Sequence, residues 1–256
     1  MILSVWGEER RMEEVRRLTR HRHTCVPISQ LMALDLSLLD ALILPVHGVQ
    51  GRRGDYMDKA HISLPEGFWE CLREDCRIIS GMPSAFLDSL PQPKYYYMQD
   101  EAYARRNAQL TAQGVLFYVL DHLDQAMNMS SVDIIGKGTC GKAIGSMLSQ
   151  NGMRIRYVRH EETNTPGEVS FMDWVNGRCA DLIIQTAPAA LLREEQLRRW
   201  AKQTKVIDIA SVKTVDERLM KRYEIPYLKA GNIPELFAWK SAGANLYAYV
   251  KKVLDE

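Results

Sequence analysis

The sequence predicts an α/β chain of two domains, an N-terminal flavodoxin-like α/β domain followed by a C-terminal Rossmann-like domain with a doubly wound parallel sheet. Three observations predict it. Short apolar runs alternate with amphipathic segments through the second half, the pattern of strand–helix–strand units on a parallel sheet. The run LDALILPV at residues 39–46 is continuously apolar, as suits a strand covered on both faces. A glycine-rich loop, GKGTCG at 136–141, stands between an apolar run and a helical pattern.

The elements follow in order. Residues 2–6 read as a strand and 8–21 as a helix, with Met12, Val15 and Leu18 on one side. Residues 39–46 form the next strand, 67–73 a helix, and 77–80 and 95–98 two further strands. This is the first domain, residues 1–106. Residues 107–128 are too apolar around their circumference for a surface helix and read as a helix packed on both sides, between domains. The second domain covers 129–231. Its strands are 132–135, 153–158, 181–185, 206–210 and 227–230, and its helices 140–151, 169–176, 193–202 and 216–222. Asn232, with Glu235 three residues on, has the spacing of a capping box for a last helix through Trp239, Leu246 and Val250. That helix, 232–256, is expected to pack back on the first domain.

Composition narrows the function classes. The chain has 256 residues, 46% hydrophobic and 25% charged, values of an ordinary globular protein. Lys and Arg number 33 against 32 Asp and Glu, so no global field favours nucleic acid or an anionic membrane. The basic residues of 10–22 alternate with Glu8, Glu9, Glu13 and Glu14 and read as a solvated helix face. No stretch approaches the roughly 20 apolar residues of a membrane span, and the N-terminus lacks the plan of a signal peptide. Five scattered cysteines make a disulfide framework improbable and fit a reducing cytoplasm. Cys71 and Cys76 lack the spacing and the second pair of a zinc site, and no metal is expected.

The glycine loop carries the chemistry. In G-x-G-x-x-G, Gly136 permits the tight turn, Gly138 lets the backbone approach a pyrophosphate, and Gly141 lets the helix pack on the sheet. The helix N-terminus adds N–H groups and partial positive charge. Lys137, Thr139 and Cys140 complete the loop; the helix N-terminus would lower the Cys140 thiol pKa, but its expected role is packing. The motif predicts a bound NAD(P) dinucleotide. The next strand ends Arg159–His160 with no carboxylate at its tip, so Arg159 favours NADP over NAD. Glu161 and Glu162 follow at once and weigh against it. Thr186, Ala187 and Pro188 after the third strand and Ala210 and Ser211 after the fourth stand where ligands bind, at the carboxyl ends of strands. Pro188 alternatively starts a helix.

The order of segments resembles the dipicolinate synthase A family. The residues carrying the resemblance are 40–46 with their Gly-rich continuation, Ile79-Ser80-Gly81 before a short helix, and Asn107 with Thr111-Ala112-Gln113-Gly114. The glycine loop, Thr186-Ala187-Pro188, Ile207-Asp208-Ile209-Ala210-Ser211 and Lys240-Ser241-Ala242-Gly243 complete the set. The chain departs from the family pattern at Leu110 and Gln113, at Val212-Lys213-Thr214, and at Gly231-Asn232-Ile233-Pro234 with Trp239, as a divergent or shortened member would. The resemblance implies an NADP-binding oxidoreductase of sporulating bacteria, forming pyridine-2,6-dicarboxylate from an intermediate of lysine biosynthesis. It also implies a flavoprotein-like partner, dipicolinate synthase B. A homo-oligomer is expected, in the cytoplasm.

A dicarboxylate substrate needs cations. Arg52 and Arg53, in the loop after the apolar strand, have the type to hold a carboxylate bidentately, and His47 the pKa of an acid or base. The alternative is a mobile loop with solvated arginines. Lys240 falls on the family's lysine, with Ser241 beside it, and the resemblance turns it toward a cleft. Asn107 and Thr111, one helical turn apart, share a face and either bind substrate or, for Asn107, cap the helix. Two rival functions stand beside this one. The first is a non-catalytic Rossmann subunit that binds cofactor and a flavoprotein. The weaker is a methyltransferase using S-adenosylmethionine, against which the glycine spacing and the missing strand-tip acid both count.

Overall fold

The computed structural model describes residues 1–58 and 60–255, except the side chain of Met32. The chain divides into two compact units, residues 1–107 with 238–256, and residues 108–237.

The first unit is built on β1 (Ile2–Val5), β2 (Thr24–Cys25), β3 (Ala41–Ile43), β6 (Arg77–Ser80) and β7 (Lys94–Tyr96), with a small antiparallel hairpin of β4 (Tyr56–Met57) and β5 (Ala60–His61). The five sheet strands are all parallel in the order β2-β1-β3-β6-β7. Renumbered within the sheet this is 2-1-3-4-5, the flavodoxin-like order. Period-two alternation sorts the core: Leu42 and Leu44 pack with Trp6, Phe68 and Trp69, whereas Ala41 and Ile43 pack with Met12, Val15, Tyr97 and Leu246. The helices are α1 (Arg10–Thr19), α2 (Ala85–Ser89), the start of α3 (Glu101–His122) and the end of α8 (Ile233–Asp255). The short helix expected after Ile79-Ser80-Gly81 is α2, started by Ser84 Oγ, which accepts from Leu87 N at 3.2 Å.

The second unit carries β8 (Ser131–Ile135), α4 (Thr139–Gln150), β9 (Arg154–Arg159), β10 (Glu168–Ser170), α5 (Phe171–Asn176), β11 (Leu182–Gln185), α6 (Glu194–Arg199), β12 (Lys205–Asp208), α7 (Glu217–Arg222) and β13 (Tyr227–Lys229). Its six parallel strands run β10-β9-β8-β11-β12-β13. That is 3-2-1-4-5-6, the doubly wound dinucleotide-binding order, with the switch point beside β8. Val132, Ile134, Leu182 and Ile184 face one core; Ile135 and Ile183 face the other, with Trp174 and Trp200. The α/β class and the parallel sheets expected from the sequence are borne out.

Several elements differ from the sequence expectation. Residues 67–73 form turns, not a helix. Gly67 has φ 68°, in the left-handed region that a right-handed helix excludes. The expected helix at 169–176 is two elements: Val169 belongs to β10, paired with Val158, and the helix begins at Phe171 after Ser170, whose hydroxyl accepts from Asp173 N at 3.1 Å. Helix α3 begins at Glu101, so Asn107 lies inside it and caps nothing; Asp100 Oδ1 accepts from Tyr103 N at 2.8 Å at its start. It ends at His122, and a separate 3-10 turn covers Met127–Met129. Helix α8 starts directly after Asn232, as the sequence expects; the Asn232 carbonyl accepts from Glu235 N at 3.1 Å and Leu236 N at 3.2 Å, with the Asn232 backbone at φ 51°. Pro188 starts no helix, since α6 begins at Glu194. Within α8, Ala238 leaves helical geometry (φ −146°, ψ 41°), at the point where the chain passes from one unit to the other.

Candidate dinucleotide site

The site in the second unit grows from the tip of β8. Gly136 turns the chain with φ 97°, and Thr186, after β11, locks the turn from the neighbouring strand. Thr186 Oγ1 donates to Ile135 O at 2.8 Å. A Cβ on Gly141 would lie 2.1 Å from Gly136 O, so α4 approaches the turn as only glycine allows. A Cβ on Gly145 would lie 1.9 Å from Tyr157 Oη, which brings α4 equally close to β9. Gly138, by contrast, is exposed and has nothing within 4 Å of its Cβ position. It precedes α4 with no side-chain cap, which leaves the first-turn N–H groups to an outside acceptor. The cradle therefore fits a pyrophosphate: close packing at Gly141, open space at Gly138, and uncapped donors between them.

Beside the cradle lies a polar cavity of about 370 Å³, lined by Lys137, Lys142, Arg159, Glu161, Glu162, Thr163, Thr165 and Glu168. Glu168 dominates it. Its carboxylate pairs with Lys137 Nζ, accepts from Thr163 Oγ1 at 3.1 Å, and stands 3.7 Å from Arg159 Nε. The Lys137 hydrogen bond holds the Glu168 carboxyl below the usual carboxylate range. Lys137 also lies over the Tyr157 ring, 5.1 Å from its centroid. The sequence reading, which found no carboxylate at the tip of β9, missed this one. Glu168 comes from the next strand, and no local motif marks it; only the pairing of Glu168 with Tyr157 across β9 and β10 brings it there. Arg159 is thus half-exposed but carries an internal counter-ion, and His160 is exposed.

The remaining loop residues gather on the same sheet edge. Ala187 follows Thr186, and its carbonyl accepts from Gln185 Nε2 at 2.7 Å. Pro188 is exposed in a bend. Ala210 N donates to Asp208 Oδ1 at 2.9 Å, and exposed Ser211 follows. Asp208 is fully buried, with Lys229 Nζ at 3.1 Å and Thr214 Oγ1 at 2.8 Å, which fixes the loop after β12. Burial pushes the Cys140 thiol up, so it is a packing residue and not an activated nucleophile.

The candidates for acid–base and substrate roles are more dispersed. His47 is exposed and has no hydrogen-bond or ion-pair partner among the described residues. Arg52 and Arg53, both exposed, border a cavity of about 560 Å³ with His61, Trp69 and Phe86. Lys240 is exposed, with Nζ 5.4 Å from the Trp239 ring, whose other cation is Arg10 at 4.5 Å. Ser241 is exposed, Asn107 half-buried and Thr111 buried. One ion pair escaped the sequence reading: buried Arg11, 4% exposed, has Nε 2.5 Å from Oε2 of the half-buried Glu9 after β1. Burial works against the Arg11 charge, but the Glu9 carboxylate outweighs it and holds the guanidinium above its usual pKa.

No protein-family model matches the chain. Dipicolinate synthase A of Bacillus subtilis (strain 168) is 22% identical, covering 100% of this chain and 96% of that relative. The crystal structure of dipicolinate synthase A from Bacillus halodurans superposes with a TM-score of 0.83 at 22% identity, covering 100% and 97% of the two chains. The chain resembles dipicolinate synthase A over its whole length. The likeness expected from the sequence is therefore borne out, as a full-length resemblance and a shared fold. Solved D-isomer specific 2-hydroxyacid dehydrogenases share the dehydrogenase-like fold more distantly. The NAD-complexed form from Lactobacillus delbrueckii ssp. bulgaricus has a TM-score of 0.59 at 11% identity, covering 99% and 95% of the chains. The form from Xanthobacter autotrophicus Py2 with NADPH and MES has 0.54 at 14%, covering 88% and 78%. Among the described residues no helix is long and apolar enough to cross a membrane, and no group of three or more His, Cys, Asp and Glu is placed to hold a metal.

Proposed function

We propose that the chain is an NADP(H)-binding oxidoreductase component that works as dipicolinate synthase A does, on a dihydrodipicolinate-type substrate, to form pyridine-2,6-dicarboxylate. The observation that supports it most is the glycine cradle at the tip of the central strand β8, with uncapped donors at α4. Gly136, Gly138, Thr139 and Gly141 would receive the pyrophosphate, with Lys137 neutralising charge. Arg159 and His160 would face the adenosine end, and Thr186, Ala187, Pro188, Ala210 and Ser211 the nicotinamide end. The nicotinamide, when bound, supplies hydride transfer. Arg52, Arg53, Asn107, Thr111 and Ser241 would hold the dicarboxylate, His47 would move a proton, and Lys240 would offset substrate charge. In this reading the chain works in the cytoplasm, as a homo-oligomer, with the flavoprotein-like dipicolinate synthase B. The test is fluorescence titration with NADPH and NADP⁺. Saturable binding supports the reading, and no binding at millimolar cofactor overturns it.

A second reading, a non-catalytic chain that binds cofactor, is favoured by His47. A general acid or base is oriented by a hydrogen bond to another group; the exposed His47 interacts electrostatically with Asp58 but makes no hydrogen bond or ion pair among the described residues. Turnover by the isolated chain would exclude this second reading; turnover only on adding dipicolinate synthase B, unaffected by His47→Ala, would establish it.

A further inference from the structure

We propose that Glu168 is a specificity-determining residue, an internal anion that already holds the two cations a cofactor 2′-phosphate would need and so lowers the preference for NADP over NAD. The inference rests on the dinucleotide site proposed above. Three observations carry it. The Glu168 carboxylate reaches both Lys137, inside the glycine loop, and Arg159, at the tip of β9, from a third element, β10. Its side chain is only 10% exposed, against 38% for Arg159, so the acid sits beneath the cations and the guanidinium keeps a free solvent side. Thr163 Oγ1 donates to it at 3.1 Å and fixes its rotamer.

The charges of the surrounding cavity make the competition matter. Lys137, Lys142 and Arg159 face Glu161, Glu162 and Glu168 in one polar hollow. With three cations against three carboxylates, a 2′-phosphate meets no net positive field there. It binds only as far as it displaces Glu168 from Lys137 or shares Arg159 with it. A ribose 2′-hydroxyl needs no such displacement, since it can donate to the same carboxylate. The carboxylate thus does from β10 what an acid at the second-strand tip does in an NAD site, and NADP must draw the cations away from it.

The experiment uses the full chain and its Glu168→Gln variant. Calorimetry with adenosine 2′,5′-bisphosphate against 5′-ADP reads the subsite alone; NADPH against NADH reads the whole site. Glutamine keeps the volume and an oxygen for Thr163 and removes the charge. Glu168→Gln is expected to tighten adenosine 2′,5′-bisphosphate and NADPH about tenfold, the scale of one charge-assisted contact, and to weaken 5′-ADP and NADH, whose ribose 2′-hydroxyl loses a charged acceptor. Glu168→Asp, which draws the carboxylate back from both cations, should act in the same direction more weakly and serves if the glutamine variant does not fold. Unchanged ratios in the folded variants would overturn the role of Glu168. Failure of all four ligands to bind the wild type would instead overturn the dinucleotide site itself.

Discussion

Asp133 and Arg156 are register partners on the adjacent strands β8 and β9, and their side chains form a two-point ion pair, Nε to Oδ1 at 2.7 Å and Nη2 to Oδ2 at 2.9 Å. Asp133 is fully buried, and its Oδ2 also accepts from Trp174 Nε1 at 2.8 Å and Ala180 N at 2.9 Å. One carboxylate thus ties β9, α5 and the approach to β11 to the central strand. Asp133→Ala is expected to cost about 3 kcal/mol, because it strands a buried indole N–H and a backbone N–H. The half-exposed Arg156 recovers some hydration, which keeps the loss at the lower end. Urea unfolding measures it; a loss below about 1 kcal/mol, the scale of a single hydrogen bond, would show that the donors find other acceptors.

Gly138 and Gly141 belong to one motif but should fail in different ways. Gly141→Ala forces a Cβ to within 2.1 Å of Gly136 O, and the strain is expected to cost about 1–3 kcal/mol and to lower the melting temperature. Gly138 has φ −74° and open space at its Cβ position, so Gly138→Ala should melt like the wild type and lose NADPH binding about tenfold or more, through obstruction of the phosphate approach. Parallel melting and fluorescence titrations separate the two. Equal melting losses for both variants would refute the assignment.

Arg159→Ala should weaken NADPH more than NADH. A single charge-assisted contact to the 2′-phosphate predicts a difference of about tenfold. Equal losses for both cofactors would mean that Arg159 serves only to pair with Glu168.

Alkaline pH should destabilise the fold through buried thiols. Burial raises Cys179 from 9.0 to about 11 and Cys76 from 9.0 to about 12. The folded state therefore keeps protons that the unfolded chain releases above about pH 9. Their contribution is complete below that pH and is lost as pH rises through the folded values. Melting temperatures should fall from about pH 9 upward, and Cys179→Ala should flatten the fall between about pH 9 and 11. All five cysteines are free, and only Cys71 is exposed. A thiol reagent at neutral pH should thus modify Cys71 first; faster labelling of Cys76 would contradict its burial.

How much could be read in advance depends on range. The glycine loop, the apolar strands and the strand–helix alternation are local signals, and each appears where the sequence places it. The helix expected at 67–73 failed because Gly67 adopts a left-handed φ, although Phe68, Trp69 and Leu72 carry the apolar pattern into the core. Strand β10 was hidden by its length: three residues have too little periodicity to separate from the helix that follows them.

The sequence by itself determined the class, the parallel sheets and the position of the cradle, because β-branched runs, glycine spacing and helix patterns act through bonds and neighbours only a few residues apart. Tertiary structure alone decided the electrostatics of the site. Arg159 reads in sequence as an available cation, but the pairing of β10 with β9 sets Glu168 against it and against Lys137. Coulomb interactions follow distance in space, and the acid and the cations come together only once three separate elements are hydrogen-bonded and packed into one sheet edge.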